Sequence, residues 1–171
     1  MFKGKKILAI IPARGGSKRI KNKNIVNFKG EPMIAKTIKI AKKCKFIDQI
    51  VVSSESKKIL NICKSYGVNT PFLRDTAYDE KSSIQKATLV AVKQSESYYS
   101  KFDVVIQLMA NCPVRKIETL NSSIRHFFSK KKNLKYLFLN TVLPTLGGLT
   151  RLRIKILRHC LEKIFLPDLR I

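Results

Sequence analysis

Apolar residues in this chain of 171 residues occur in short continuous runs that alternate with stretches of helical periodicity. Four of the runs are typical of buried strands: residues 5–13, 48–54, 68–73 and 102–109. Between and after these runs, apolar positions recur every three or four residues. This spacing predicts four amphipathic helices: residues 32–44, 56–67, 84–99 and 116–129. Gly67 is a candidate C-cap for the second of them.

Strands that alternate with helices of about three turns, and that are apolar on both faces, indicate a mainly parallel sheet covered on both sides. We therefore predict an α/β fold, a Rossmann-like three-layer α/β/α sandwich. Ligands of such sheets bind outside the carboxyl ends of the strands. The loops after the first and fourth strands, residues 14–24 and 110–115, are thus the places where we expect a site.

The composition changes near Lys135. Beyond it the chain has only two acidic residues, Glu162 and Asp168, leucine becomes frequent, and apolar and basic residues mix without a clear rhythm. We predict an α/β domain at residues 1–134 and a divergent, basic, leucine-rich tail at residues 135–171.

The net charge of +24 raises the question of nucleic-acid binding, since Lys and Arg that neutralise phosphates drive such binding. The charge is spread along the whole chain, however, and no nucleic-acid-binding signature accompanies it. Lysines on solvated helix faces are the favoured interpretation, and we expect no specific nucleic-acid partner.

The spacing of the cysteines and the lengths of the apolar runs indicate the cellular compartment. The four cysteines are widely spaced, with neither a CxxC pair nor a Cys/His cluster, which indicates free thiols in a reducing compartment and no metal-ligating residues. No apolar run approaches the roughly 20 residues of a membrane span. The N-terminal stretch "ILAIIPA" is interpreted as a strand and not as a signal peptide, so a cytoplasmic protein without membrane contact is expected.

The loop within "IIPARGGSKRIKNKN", residues 10–24, carries the candidate chemistry. Gly15 and Gly16 give the backbone unusual freedom, and their amides, with Ser17, can cradle an anion. Nearby cations add charge-assisted donors, namely Arg14, Lys18 and Lys23. The spacing fits neither the P-loop nor GxGxxG. The loop is predicted to bind a polyanion, with phosphate the favoured ligand; a solvated turn is the alternative.

"IPARGGSKRIKNKNI" resembles the first motif of the acylneuraminate cytidylyltransferases, which make CMP-activated sialic acids and related nine-carbon sugar acids. Three later segments are similar to further parts of that family: "YGVNTPFLR", "KSSIQKATLVAV" and "QLMANCPVR". The resemblance covers roughly residues 5–130. It implies a fold of the nucleotide-diphospho-sugar transferase type, CTP and a sugar acid as partners, magnesium as cofactor, and a family-like homodimer.

The resemblance also implies roles for individual residues. Arg14 and Lys18 would be catalytic, and the nucleotide would be held by the first motif and two later positions: Ala13, Arg14, Gly15, Gly16, Ser17, Lys18, Lys23, Asn24, Arg74 and Ser83. Asn111 and Arg115 would lie at the sugar-acid side. The anomeric hydroxyl of the sugar acid would attack the α-phosphorus and release pyrophosphate, whose developing charge the cations would stabilise.

Several of these positions have simpler alternatives. Arg19 and Lys21 are interpreted as solvated loop charges. Ser83 can equally be a helix N-cap, and Arg115 can be a surface residue. The two histidines, His126 and His159, are interpreted as ordinary helix residues.

Two departures from the family pattern bear on function. Met109 stands where the family motif "QPTSPLR" has its glutamine, and Gln107 lies two residues earlier. A thioether cannot replace an amide, so an acceptor of the pseudaminic or legionaminic type is compatible with the chain. The late aspartate pair (D-x-D) that holds magnesium in the family, and the usual dimer segment, are not found. We hypothesise an out-of-frame ending, which translation of the other frames of the coding DNA tests.

These departures lead us to expect weak CTP binding and little turnover. Two other functions stay open as alternatives. One is a sugar nucleotidyltransferase of the 3-deoxy-octulosonate type, whose first motif usually differs from "GGSKR". The other is a basic nucleic-acid-binding module, which would bind any polyanion in a salt-sensitive way.

Overall fold

The computed structural model describes residues 1–17, 20, 22–76 and 82–129, and the backbone of 136–140 and 153–155. The elements follow one another along the chain in this order: β1 (Ile7–Pro12), a 3-10 helix (Lys23–Ile25), β2 (Asn27–Phe28), β3 (Glu31–Pro32), α1 (Met33–Lys43), β4 (Gln49–Ser53), α2 (Lys57–Ser65), α3 (Ile84–Tyr98), β5 (Val104–Leu108), α4 (Ile117–Ser129), β6 (Tyr136–Asn140) and β7 (Arg153–Lys155).

Five of these strands form one sheet in the order β4-β1-β5-β6-β7. The first four are mutually parallel, and β7 runs antiparallel to β6. The chain leaves β1 toward β4 on one side and then crosses to β5 on the other side, so the strand order reverses at β1. In open α/β sheets this switch point is where ligands bind, at the carboxyl ends of the strands.

Alternate residues of the strands feed two separate cores. Ile7, Ala9 and Ile11 of β1 pack with α1, α2 and α4 on one face of the sheet, whereas Leu8 and Ile10 pack with α3 on the other. Since both faces are covered, the strands are apolar throughout, which is the pattern that the sequence displays. The predicted three-layer α/β/α sandwich is therefore confirmed.

Helix α2 ends as the sequence predicts. Gly67 has a φ of 78° in the left-handed region. Its amide donates to the Lys64 carbonyl at 2.9 Å, and the Val68 amide donates to the Cys63 carbonyl at 3.1 Å. These bonds satisfy carbonyls at the helix end, and glycine takes the required conformation without the strain of a Cβ.

The predicted strand at residues 68–73 is wrong: the segment runs beside β4 without forming a strand. Pro71 has no amide hydrogen for a ladder. Next to it, the Thr70 side chain takes over one backbone role, because its hydroxyl oxygen accepts a hydrogen bond from the Val52 amide at 3.0 Å.

Some strands were not predicted from the sequence. β2 and β3 form a two-residue hairpin around Lys29 and Gly30, both at positive φ. β6 and β7 lie within the segment 135–171, which shows no strand-helix rhythm. β6 pairs with β5 in the main sheet, while the division into two parts near residue 135 stays a prediction. None of the helices in the described part of the chain is long and apolar enough to cross a lipid bilayer.

Candidate active site

A cavity of about 350 Å³ opens where the switch point leads us to expect a ligand. Its walls come from the loop after β1, the segment between α2 and α3, the start of α3 and the loop after β5: Pro12, Arg14, Ser17, Lys23, Asn24, Arg74, Ser82, Ser83, Ile84, Ala87, Met109 and Asn111. Seven of the residues predicted from the sequence are thus brought to one place, although they span almost a hundred positions of the chain.

The loop after β1 contributes two of its cations to the cavity, Arg14 and Lys23. The 3-10 helix turns the chain back so that Asn24 reaches the start of the loop, and the Asn24 Nδ2 donates to the Arg14 carbonyl at 2.9 Å. Asn24 is buried and holds the two ends of the loop together. Lys18, Arg19 and Lys21 lie outside the described residues.

The paired glycines are not used in the way the sequence suggests. Neither Gly15 nor Gly16 has a positive φ, so unusual backbone angles are not the reason for glycine here. A Cβ on Gly15 would instead lie 3.1 Å from the Cβ of Ser56, whereas one on Gly16 would meet no atom within 4 Å. Gly15 therefore allows a close approach between the loop and the start of α2.

The Gly15 amide donates to the Glu55 Oε1 at 2.6 Å. A carboxylate, and not open space, thus faces the amide that was predicted to bind phosphate. Glu55 was not singled out in the sequence. The one available signal is an acidic residue directly after a buried strand, at the ligand-binding edge of a chain that is otherwise strongly basic.

Arg74 is 3% exposed and bonds the end of β4 through several contacts. Its Nη1 donates to the carbonyl and Oγ of Ser53 at 3.2 and 3.3 Å, and its Nη2 donates to the Glu55 Oε2 at 3.0 Å. Burial lowers the pKa of Arg74, the Glu55 carboxylate opposes this shift, and the charge of Arg14 adds to it. The Arg74 Nε is buried with no hydrogen-bond partner in the described part of the chain.

The start of α3 forms another wall of the cavity. The Ser83 Oγ accepts a hydrogen bond from the Lys86 amide at 3.1 Å, so Ser83 is the N-cap of this helix. Ser83 also lines the cavity, as does its neighbour Ser82. The two interpretations of Ser83 are therefore compatible, and the positive end of the helix dipole faces the cavity.

The end of β5 brings an apolar side chain to the cavity. Met109 lines it, whereas Gln107 is buried beside it. The Gln107 Oε1 accepts from the Thr88 hydroxyl at 2.6 Å, and its Nε2 donates to the Met109 sulfur at 3.4 Å. Gln107 is thus held behind Met109 and does not supply an amide to the cavity wall.

Arg115 does not line the cavity, although Asn111 of the same loop does. Arg115 is 5% exposed, so the alternative of a surface residue is wrong. Its Nε, Nη1 and Nη2 are all buried without a hydrogen-bond partner in the described residues. Burial lowers its pKa, and the neighbouring Cys112 opposes the shift.

The remaining predicted residues lie apart from the cavity. Ala13 is fully buried in the core beneath the loop, and its amide donates to the Ser53 carbonyl at 2.9 Å. His126 is exposed on α4, as an ordinary helix residue would be, and His159 lies outside the described residues.

The described lining carries three cations, Arg14, Lys23 and Arg74, and no carboxylate. Backbone amides, hydroxyls and guanidinium groups suit a polyanionic ligand. The described part of the chain holds no group of three or more His, Cys, Asp or Glu residues that could bind a metal ion. These residues therefore do not by themselves provide a magnesium site.

The fold and the cavity define an α/β protein with a cationic cavity at the switch point of its sheet, and comparison with known sequences identifies the family. Residues 8–146 match the family model described as Cytidylyltransferase, so the chain belongs to the cytidylyltransferase family. The resemblance stated from the first motif is confirmed.

Two curated relatives illustrate the relationship. The pseudaminic acid cytidylyltransferase of Campylobacter jejuni subsp. jejuni (strain 81-176) is 37% identical over 137 residues, which are 80% of this chain and 58% of that protein. The CMP-N,N'-diacetyllegionaminic acid synthase of Legionella pneumophila (strain Philadelphia 1) is 38% identical over 123 residues, 70% of this chain and 52% of that protein. The chain thus spans little more than half the length of these relatives.

Solved structures support the fold. The CMP:2-keto-3-deoxy-manno-octonic acid synthetase complexed with CTP has a TM-score of 0.61 at 20% identity, over 73% of this chain and 48% of that one. Rv0371c of Mycobacterium tuberculosis H37Rv, solved in complex with manganese, has a TM-score of 0.50 at 12% identity, over 72% of this chain and 60% of that one. At these identities the likeness concerns the fold alone.

Proposed function

We propose that the chain is the nucleotide-binding part of a cytidylyltransferase that joins CMP from CTP to a nine-carbon sugar acid and releases pyrophosphate. The observation that carries this proposal is the cavity at the switch point of the sheet, lined by Arg14, Lys23 and Arg74 together with the start of α3. Family membership supports the nucleotide, and the cationic lining supports a triphosphate as the group bound there.

In this proposal the loop after β1 holds the triphosphate. Arg14, Ser17 and the Gly16 backbone contact the phosphates, Lys18 stands against the bond that breaks, and Lys23 adds charge. As the acceptor hydroxyl attacks the α-phosphorus, negative charge grows on the departing pyrophosphate, and fixed cations stabilise it without having to reorganise.

Three further positions complete the nucleotide site in the proposal. Arg74 and Ser83 lie toward the cytosine or ribose, and Asn24 contacts the nucleotide while it keeps the loop closed. The buried Arg74 Nε supports such a contact, because it is a donor on a cavity-lining side chain without a partner in the described residues. A ligand oxygen at this position would satisfy it.

The acceptor is proposed to be a sugar acid of the pseudaminic or legionaminic type. Met109 supports this choice, because it presents an apolar surface where an amide would otherwise bind a polar substituent. The names of the two curated relatives agree with it. Asn111 is assigned to the sugar-acid side as a cavity residue; the same role for Arg115 comes only from the family resemblance.

Magnesium remains the proposed metal, on the family resemblance, and no described residue is assigned as its ligand. A cytoplasmic, homodimeric enzyme without a specific nucleic-acid partner is part of the same proposal. Because the described residues do not offer a metal-binding cluster, we expect CTP binding to be measurable and turnover to be low.

Calorimetric titration with CTP, ATP and single-stranded DNA at moderate salt tests the binding part. We expect a preference for CTP that Arg14→Ala weakens at least tenfold and that Arg125→Ala, an exposed arginine on α4, leaves unchanged. Equal, salt-sensitive binding of all three ligands would instead favour the nucleic-acid module.

A pyrophosphate-release assay with pseudaminic, legionaminic, sialic and 3-deoxy-octulosonic acids tests the reaction. Slow release with one of the nine-carbon acids is expected. Release with the octulosonic acid alone would support the alternative nucleotidyltransferase, and robust turnover would refute the expectation of low activity.

A further inference from the structure

We propose that Glu55 is a positioning residue that fixes the phosphate-binding loop by bridging it to the buried Arg74. The inference rests on the proposed function and goes beyond it, because Glu55 belongs to none of the positions that the first motif or its resemblance singles out. The role assigned to Glu55 is to keep the loop in position, and Glu55 takes no part in the chemical reaction itself.

The contacts of Glu55 define the bridge. One carboxylate oxygen, Oε1, accepts from the Gly15 amide at 2.6 Å, and the other, Oε2, accepts from the Arg74 Nη2 at 3.0 Å. Gly15 and Glu55 are forty positions apart in the chain, and Arg74 lies nineteen beyond Glu55. The Glu55 side chain, directly after β4, therefore links the loop after β1 to the segment between α2 and α3.

The carboxylate lies behind the loop and not in the cavity. Glu55 is absent from the cavity lining, whereas Arg14 and Ser17, on either side of the paired glycines, belong to it. The Glu55 side chain is 21% exposed and has both oxygens engaged. This arrangement suits a support for the loop better than a ligand for substrate or metal.

Gly15 fits the same interpretation. Its missing Cβ lets the loop approach the Glu55–Ser56 corner, where a Cβ would lie 3.1 Å from the Ser56 Cβ and 3.4 Å from the Glu55 Oε1. The first of these contacts is short enough that Ser56 would have to move by a few tenths of an ångström. The glycine thus serves the docking of the loop onto Glu55.

Glu55 also balances charge at the site. Arg14 and Arg74 both line the cavity, and the charge of Arg14 disfavours the charged form of Arg74, whereas Glu55 favours it. A carboxylate between the loop and Arg74 therefore lets two guanidinium groups line the same cavity. The cations of the loop then stay directed at the ligand.

The test measures affinity for ligands with and without phosphates, on the full chain. The probes are CTP, inorganic tripolyphosphate and cytidine, and the variants are Glu55→Gln and the matched control Glu31→Gln, whose carboxylate pairs with Lys36 and Lys39 away from the cavity. We expect Glu55→Gln to weaken CTP and tripolyphosphate about tenfold and cytidine less than twofold. Glu31→Gln should alter none of them.

Thermal melting reports whether Glu55→Gln is folded. If it folds poorly, the same affinities are measured for Glu55→Asp and Gly15→Ala. Asp is too short to reach both partners, and a Gly15 Cβ disturbs the docking, so each should reproduce the loss that is specific to phosphates. Unchanged or tighter tripolyphosphate binding in the folded variants would overturn the inference, as would an equal loss for cytidine.

If the unaltered chain binds tripolyphosphate without preferring CTP over ATP, the proposed function fails, while the tripolyphosphate comparison still decides the role of Glu55.

Discussion

Two arginines of this chain are buried to nearly the same degree in very different surroundings. Arg74 is 3% exposed and meets Ser53 and Glu55, whereas Arg115 is 5% exposed and meets no hydrogen-bond partner in the described residues. Arg74 lies in the segment between α2 and α3, and Arg115 lies in the loop after β5. Burial lowers the pKa of each, but only Arg74 has a carboxylate opposing the shift.

The comparison shows that burial alone does not define a functional arginine. A buried charge costs free energy unless partners compensate it. At Arg74 the compensation links three segments around the cavity, so the residue supports the structure there and, in the proposed function, the binding of the nucleotide. At Arg115 no hydrogen bond compensates the cost within the described part of the chain, although the neighbouring Cys112 opposes the shift of its pKa.

The largest expected effect follows from replacing the compensated arginine. Arg74→Met should lower the free energy of unfolding by about 3 kcal/mol, because it leaves the Glu55 carboxylate without its partner. Urea denaturation measures the change. Adding Glu55→Gln to Arg74→Met should restore part of the loss, since the two residues act as a pair; full additivity would contradict the pairing.

Arg115→Met should act in the opposite direction. Replacing a buried guanidinium that has no hydrogen-bond partner in the described residues by a side chain of similar length should raise the free energy of unfolding by about 2 kcal/mol. The same urea denaturation measures it. A loss of stability comparable to that of Arg74→Met would mean that Arg115 is compensated, by Cys112 or by residues beyond those described, and the contrast between the two arginines would disappear.

A smaller change in stability is expected at the start of α3, where Ser83 can act as a helix cap and as a ligand for CTP. Ser83→Ala and Ser56→Ala each remove an N-cap hydroxyl, from α3 and α2 respectively, and each should cost about 1 kcal/mol. Only Ser83 lines the cavity, so only Ser83→Ala should also weaken CTP binding. Equal CTP affinity in the two variants would limit Ser83 to its capping role.

The smallest effect concerns a buried group that stays neutral. Burial raises the pKa of Cys63 to about 12, so its thiol stays protonated at pH values where an unfolded thiol ionises. The resulting stability is present below about pH 9 and is lost as pH rises toward 12. At pH 9, iodoacetamide should label Cys63 far more slowly than the partly exposed Cys112, as peptide mass spectrometry can measure. Labelling of both at one rate would contradict the burial; urea should abolish the difference.

The fold was predictable where one physical pattern dominates. The strands β1, β4 and β5 are apolar on both faces, and the four helices show regular apolar spacing. The prediction of a strand at residues 68–73 failed because the apolar residues at both ends of this segment resemble a strand. Pro71 has no amide hydrogen and cannot join a β-ladder. β6 was missed because the residues around it mix apolar and basic side chains without a period.

The candidate site could be predicted only for residues whose chemical type and local sequence pattern indicate a ligand-binding role. Paired glycines next to cations indicate the loop after β1, and parallel topology indicates its edge of the sheet. The role of Glu55 depends on contacts with residues far away along the chain, and no local pattern encodes them. The separation of Arg115 from the cavity likewise depends on the path of the loop after β5.

The bond between Thr70 and Val52 has a consequence for how the protein behaves at high concentration. β4 is the outermost strand on its side of the sheet, and an outer strand with free amides can recruit a second chain and start aggregation. The Thr70 hydroxyl occupies one of those amides, and Pro71 beside it offers no donor of its own. A short irregular segment thus shields the sheet from growing into intermolecular assemblies.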